Sequence, residues 1–401
     1  MVINWTPESG VEYWLFTATD PGLTAYNWTN LANEQHFIPA AAPFYMCGLN
    51  NGTEYYFAAN GRINSGPGGP SSPTLGRIPY NASAVAWTPG VTTPAPNLLG
   101  VGYTSLTTCS NNTTSAAGSF AAVGAGGAIF TSSDGQTWAN QSPPSGFATN
   151  LNAVSGYAAN QNSPGNPALR WVAVGDGGAS VYSLDGISWA VGNAYNASSP
   201  ALRSLTQVAR AFFAVGDAGT ILSSYDGITW TSHTATSGTT NNLNGVTHGT
   251  TYYVAVGDAG TIVTSIDGNT WTAQTSGTTS NLRQVTSYGS IIVAAGDAGT
   301  IVTSIDNGAT WTSQTLPGTP NLAGITSEYQ LASNPVADPK LGYISTAQFV
   351  AVDSSGNAYT SQNGIDWSSA IPTGAASLNA LVSSGFGYVA TGNAGATASA
   401  F

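Results

Sequence analysis

Apolar positions fall into a pattern that returns from residue 98 to the end of the chain. Each unit opens on Leu-x-x-Val or a close variant: Leu98/Val101, Leu151/Val154, Leu202/Leu205, Leu243/Val246, Leu282/Val285, Leu322/Ile325 and Leu378/Leu381. A short apolar run follows and ends in a glycine-rich turn, as in Gly216-Asp217-Ala218-Gly219 and Gly257-Asp258-Ala259-Gly260. A third run leads into the phrase Ser-x-Asp-Gly-x-Thr/Ser-Trp, whose tryptophan marks a fourth. Short apolar runs between Gly, Asn and Asp clusters predict strands. A repeat of roughly 40 residues predicts stacked supersecondary units. Seven openings with four strands apiece predict a seven-bladed β-propeller over residues 80–401.

The tryptophan phrase carries Asp134, Asp185, Asp226 and Asp267; a version one residue longer has Asp306, and a weaker copy has Asn363. Asp binds nearby backbone N–H groups and Gly accepts positive φ, so the pair predicts a tight turn. The tryptophan supplies a large apolar area between units. These carboxylates read as turn braces. The phrase resembles the Asp-box of the BNR and sialidase-type propellers, and the units resemble those of the photosystem II stability/assembly factors. The resemblance covers residues from about 80 to 401 and implies structural, not catalytic, Asp-boxes.

The last unit stops after its third strand, while a spare tryptophan strand, residues 84–88, precedes the first. Trp87, Trp138 and Trp189 are evenly spaced. This predicts that the N-terminal strand completes the C-terminal blade and leaves no open edge in the ring.

Residues 1–79 follow a different pattern, with short alternating runs at 2–5, 11–18, 25–29 and 37–49 between Gly, Pro and Asn turns. This predicts a small β-sandwich. The stretch from Leu49 to Tyr55 resembles the fibronectin type III corner, Leu-x-x-Gly-Thr-x-Tyr, which implies Tyr55 as the corner tyrosine and Trp5 as the core tryptophan. A fibronectin-type domain has a strand before the one with Trp5. Either the chain is a processed form, or that edge is open and available for self-association.

Composition narrows the function. Lys plus Arg is 7 against 18 for Asp plus Glu, a net charge of −11. That argues against nucleic acid and anionic membranes as partners, since both need a basic footprint. No apolar run is long enough to span a bilayer. The three histidines make no metal-ligand spacing, two cysteines make no metal site, and no cofactor motif is present. The Gly-Asp-Ala-Gly turns lack the following helix that a phosphate loop needs. Leu75-Gly76-Arg77-Ile78-Pro79 resembles the Arg-Ile-Pro preceding sialidase boxes, but those enzymes need six blades, three substrate arginines and a Tyr/Glu nucleophile pair. No credible pair of catalytic carboxylates stands out.

Two sets of polar residues remain as candidate sites. The position after each opening leucine reads Leu99, Asn152, Arg203, Asn244, Arg283, Ala323 and Asn379. The first strand of a blade is innermost, so Asn152, Arg203, Asn244, Arg283 and Asn379 are predicted to line the central channel, as a solvated wall or a small-anion site. Blades one, two and six carry insertions at 107–118, 156–168 and 327–346, all after the first strand and therefore on one face. These hold Asn111, Asn112, Tyr157, Asn160, Asn162, Tyr329, Asp338, Lys340 and Tyr343. Tyr and Asn at loop tips suit adaptable binding of a protein or glycan; docking of the N-terminal module is the alternative.

Cys47 and Cys109 leave two readings open, a bridge at the domain junction or two free thiols; the first requires an oxidising compartment. Sequons begin at Asn4, Asn27, Asn51, Asn81, Asn111, Asn112, Asn140 and Asn196, which chance supplies readily in such a chain. The expectation is a non-catalytic binding, adhesion or assembly protein of the cell surface or exterior. A carbohydrate-binding propeller and a glycosidase are the alternatives.

Overall fold

The computed structural model describes residues 2–3, 11–18, 35–40, 44–45, 56–63, 87–110, 113–158, 169–193, 200–208, 211–332, 344–384 and 387–400. The chain divides into two compact units: residues 1–79 with 106–117 and 160–164, and residues 80–105, 118–159 and 165–401.

In the first unit Val11–Ala18 is the centre of an antiparallel sheet, flanked by Gln35–Ala40 and Tyr56–Ile63. Val2–Ile3 pairs antiparallel with Phe44–Tyr45. Phe16 is buried, with the Trp14 ring 6.4 Å away. Trp5, Cys47 and Tyr55 lie outside the described residues.

The second unit is an all-β, seven-bladed propeller. Seven four-stranded antiparallel sheets follow one another, each a meander in which sequential strands are neighbours. Blade three is typical: Leu202–Val208, Ala211–Gly216, Ile221–Ser224 and Thr231–Ser232. Six sheets are continuous in sequence. The seventh joins Ala380–Ser383, Tyr388–Thr391 and Ala396–Ala400 to Thr88–Val91, with Ala396 opposite Val91 and Ser399 opposite Thr88. The added strand begins just after Trp87, whose ring lies 6.4 Å from that of Tyr388.

Exposure rises from the second strand of a blade to the fourth, in the order the sequence dictates. The second strand of blade three, Ala-Phe-Phe-Ala-Val-Gly, is buried at every position because a blade covers it on both faces. The fourth strands are mostly exposed. The core is therefore not central. It is a series of layers between blades, such as Phe213, Val215 and Ile221 of blade three against Leu243, Val246 and Trp271 of blade four. The inner strands approach so closely that a Cβ at Gly100 would lie 2.8 Å from the Ala153 Cα of the next blade, and one at Gly245 2.8 Å from the Gln284 Cα.

Candidate functional site

The channel is built from the turn between the second and third strands. The second strand ends on Gly124, Gly175, Gly216, Gly257 or Gly296, or just before Gly392. A Cβ there would fall on the carbonyl of the residue before the opening leucine, 2.0 Å from Ala201 O at Gly216 and 1.8 Å from Ser377 O at Gly392. Close approach requires these glycines. In blades two to five an aspartate comes next, and its N–H donates to that same carbonyl (Asp258 N to Asn242 O, 2.9 Å); Ala125 and Asn393 take its place in blades one and seven. Then Ala218, Ala259, Ala298 and Ala394 adopt left-handed backbone, φ 53°, 53°, 52° and 51°. That conformation costs a Cβ-bearing residue about 1–2 kcal/mol.

The strained alanine points its N–H at the next blade. Ala218, Ala259, Ala298 and Ala394 donate to the Oδ1 of Asn242, Asn281, Asn321 and Asn97, at 3.0, 3.0, 3.1 and 2.9 Å; Gly126 donates to Asn150 at 2.9 Å. Three of these asparagines also donate to their own blade's aspartate: Asn150 to Asp176, Asn242 to Asp258 and Asn281 to Asp297, at 3.0, 2.9 and 3.1 Å. One amide thus joins two blades. Sequence reasoning passed over these residues, though the signal was present: Asn precedes the opening leucine in five of the seven units.

All seven positions after the opening leucine line one cavity of about 420 Å³. Each polar one is tied to the turn of its own blade. Asn152 donates to Asp176 at 2.9 Å, Asn244 to Asp258 at 2.8 Å, and Asn379 to Asn393 at 2.8 Å. The same amide nitrogens reach the opening carbonyl of the following blade, Leu202, Leu282 and Leu98, each at 2.9 Å. Arg203 pairs with Asp217. Arg283 pairs with Asp297 through Nε at 2.8 Å and Nη2 at 2.7 Å. Its bond to Asp297 holds Arg283 above its usual value, and the guanidinium likewise holds Asp297 below the usual carboxylate range. An anion entering the channel therefore competes with a carboxylate at either arginine. A larger open groove of about 790 Å³, along Thr239, Thr261, Gln274 and Thr278, has no titratable side chain in its lining.

The tryptophan-phrase residues are not gathered in the channel; each blade that has them holds its own set at the turn between third and fourth strands. In blade three, Ser224 Oγ donates to Asp226 Oδ1 at 2.9 Å and accepts N–H bonds from Asp226 (3.3 Å) and Gly227 (2.8 Å). Asp226 Oδ1 also accepts from the N–H groups of Ile228 and Thr229, at 2.8 and 2.7 Å. Asp134, Asp185 and Asp267 repeat this geometry. Asp306, in the longer turn, accepts the Thr310 N–H at 2.9 Å and its hydroxyl at 2.5 Å. Asn363 substitutes its amide oxygen, accepting from Ile365 and Asp366 at 2.9 and 2.8 Å. The buried serine is as central to the turn as the aspartate.

These bonds set the electrostatics. At Asp134 and Asp226 partial burial is the largest influence and pushes upward, but the backbone N–H and serine bonds together outweigh it and leave both below the ordinary value. Asp185 and Asp267 are lowered chiefly by the N–H of Ser188 and Thr270. Asp306 is brought down to about 2, first by the Thr310 hydroxyl.

Ser223 Oγ and His233 Nε2 lie 2.8 Å apart and suggest a nucleophile–base pair. The same cross-strand position holds Thr131 with Gln141 in blade one and Thr264 with Gln274 in blade four, so the contact is a ladder bond. His248 ends a first strand with its ring 4.4 Å from that of Tyr253. Among the described residues no group of His, Cys, Asp or Glu could hold a metal ion, and no helix is long and apolar enough to cross a membrane.

The insertion residues fare differently from the channel residues. Tyr157 is no loop tip: it lies in the first strand of blade two, Leu151–Ala158, and packs against the core between blades two and three. Tyr329 lies within the strand Leu322–Ala332. In both cases the blade hairpin continues beyond the point where turn-forming residues suggested that it stopped. The blade-one insertion is likewise largely strand, with Leu98–Ser110 and Thr113–Gly124 flanking Asn111 and Asn112. Asn111, Asn112, Asn160, Asn162, Asp338, Lys340 and Tyr343 lie outside the described residues, as does Cys47; Cys109 is in the first strand of blade one.

No family model and no curated protein matches the sequence. Among solved structures the chain is similar to YCF48 bound to D1 peptide, with a TM-score of 0.56 and 15% identity over 80% of this chain and 98% of that one. It is similar to YCF48 from Cyanidioschyzon merolae (0.54, 14%, 79% and 98%) and to the WD40 beta propeller domain of Doa1 (0.51, 9%, 77% and 94%). At these identities the likeness is one of fold, and the fold is the seven-bladed β-propeller.

Proposed function

We propose that the protein is a non-catalytic binding propeller whose ligand is a polypeptide, displayed outside the cell or on its surface. The observation that carries the reading is the commitment of the polar groups to structure. The lining Asn and Arg side chains hold turns and join blades, and the outer carboxylates accept the N–H groups of their own turns. A group held in this way is poorly placed to move protons or attack a substrate. The fold likeness to YCF48 bound to D1 peptide supports a polypeptide ligand. The turn geometry supports reading the repeats as Asp-boxes, and the two small sheets of residues 1–79 support a fibronectin type III-like module preceding them in the sequence. In this reading the insertions of blades one, two and six offer Asn111, Asn112, Asn160 and Tyr343 as adaptable contacts.

The test uses the full chain on three panels: a random peptide display library, a glycan array and a set of fluorogenic glycosides. Enrichment of peptides with no glycan signal and no turnover is the expected result. Turnover of a glycoside by the purified chain, lost in a point variant that still folds, overturns the non-catalytic reading; binding confined to glycans overturns the polypeptide ligand.

A further inference from the structure

Eight large hydrophobic side chains stand out as exposed among the described residues, and six of them sit in the tryptophan-phrase turns. They are Leu184 and Ile187 in blade two, Tyr225 in blade three, Ile266 in blade four, Ile305 in blade five and Ile365 in blade six. Their exposures run from 48% at Ile365 to 82% at Tyr225. Singly, such residues need no explanation. Here Leu184, Tyr225, Ile266 and Ile305 recur at one equivalent place in four successive blades, while Ile187 and Ile365 share a second place, after the turn glycine, in blades two and six. Each turn packs on the blade before it. A Cβ at Gly227 of blade three would meet Val172 of blade two, at Gly268 of blade four Phe213 of blade three, and at Gly364 of blade six Val293 of blade five.

The turn does not demand these residues. The position of Leu184, Tyr225, Ile266 and Ile305 is Ser133 in blade one and Gln362 in blade six, with the same serine and Asp/Asn bonds intact. The bonds run from backbone N–H groups to the buried serine and the Asp or Asn, so the intervening side chain faces water and is free to be polar. Exposed apolar side chains that recur at one position without the fold requiring them there mark an interaction surface.

Charge selects the occupant. Asp185, Asp226, Asp267 and Asp306 directly follow the four apolar residues, and hydrogen bonding keeps them ionised at neutral pH. Among side chains that the structure describes, the only arginines are Arg203 and Arg283, both paired at the channel. A second copy packing its belt on this one would oppose carboxylate to carboxylate. We propose that the belt over blades two to six docks a basic amphipathic segment of a partner protein, with apolar residues on the exposed Leu, Tyr and Ile side chains and Lys or Arg beside the aspartates. The proposal goes beyond the binding reading above and is independent of the insertions.

The probes are a synthetic peptide alternating Leu and Lys and its Leu-Glu counterpart of equal length, titrated against the full chain by fluorescence anisotropy. The chain should bind the Lys peptide and not the Glu peptide, more weakly as salt rises. The quadruple variant Leu184→Ser, Tyr225→Ser, Ile266→Ser, Ile305→Ser should keep its thermal midpoint and bind at least tenfold more weakly. Ser133→Ile with Gln362→Ile should extend the belt and tighten binding. Equal binding by the folded quadruple variant overturns the proposal, as does equal binding of the Glu peptide. A dimer of the chain that the same four substitutions dissolve would assign the belt to a second copy and overturn the basic partner.

Discussion

At the scale of single residues the outer turn is an arrangement of one serine and one carboxylate. Asp226 accepts three bonds at Oδ1, and its loss leaves two N–H groups to find water. Asp226→Ala should therefore cost about 1–2 kcal/mol in equilibrium denaturation, and Asp226→Asn clearly less, because Asn363 performs the same task in blade six. A loss of peptide binding by Asp226→Ala in fully folded protein would show that the turn carboxylates do more than brace. The turns also make stability depend on pH. Their folded pKa values lie below the ordinary 3.8, so their contribution is complete above 3.8 and is lost as pH falls through those lowered values, about 2 for Asp306. At the other end, burial and then its bond to Asp353 push Tyr359 up to about 12 from 10.0. The neutral phenol belongs to the folded state, so that contribution is full below pH 10 and disappears as pH rises through 12. Thermal midpoints from pH 2 to 12 should fall at both ends, and Tyr359→Phe should remove part of the alkaline fall.

At the scale of elements the asparagine before the opening leucine joins blades that share no ladder hydrogen bonds. Asn242 binds Asp258 in its own blade and the Ala218 N–H in the preceding one. Its neighbour Asn241 donates its amide to Thr261 from an exposed position. Asn242→Ala should lower stability by about 1–2 kcal/mol and Asn241→Ala by a few tenths, measured by denaturant melts. Asn379 spans the junction of blades seven and one through Leu98 O. Its replacement by Ala should open that seam first, seen as faster amide exchange in strands 88–91 and 396–400 than in blade four.

At the scale of the molecule a ring distributes its stability over nearest-neighbour interfaces. Thr88–Val91 is the outer strand of the blade that ends the chain. Deleting residues 81–90 should therefore lower the thermal midpoint of the propeller more than deleting residues 1–76. Equal midpoints for the 81–90 deletion and the intact chain would show that this strand does not close the ring.

The sequence by itself determined the period, the strand pattern and the outer turn. These rest on contacts within two to four residues, such as Ser224 with Asp226 and Gly227, so the local phrase contains them. It also placed Asn152, Arg203, Asn244, Arg283 and Asn379 along one cavity, because strand order in a meander fixes which strand is innermost. Only the tertiary structure decided how those residues are used. Arg283 is taken up by Asp297 across a hairpin, and Asn379 reaches Leu98 from the far end of the chain, contacts that no local pattern displays. The same holds for Tyr157, which reads as a polar loop tip until the next blade packs against its ring. The exposed isoleucines fall within the phrase that predicts a turn, but only the fold shows that their side chains are left uncovered.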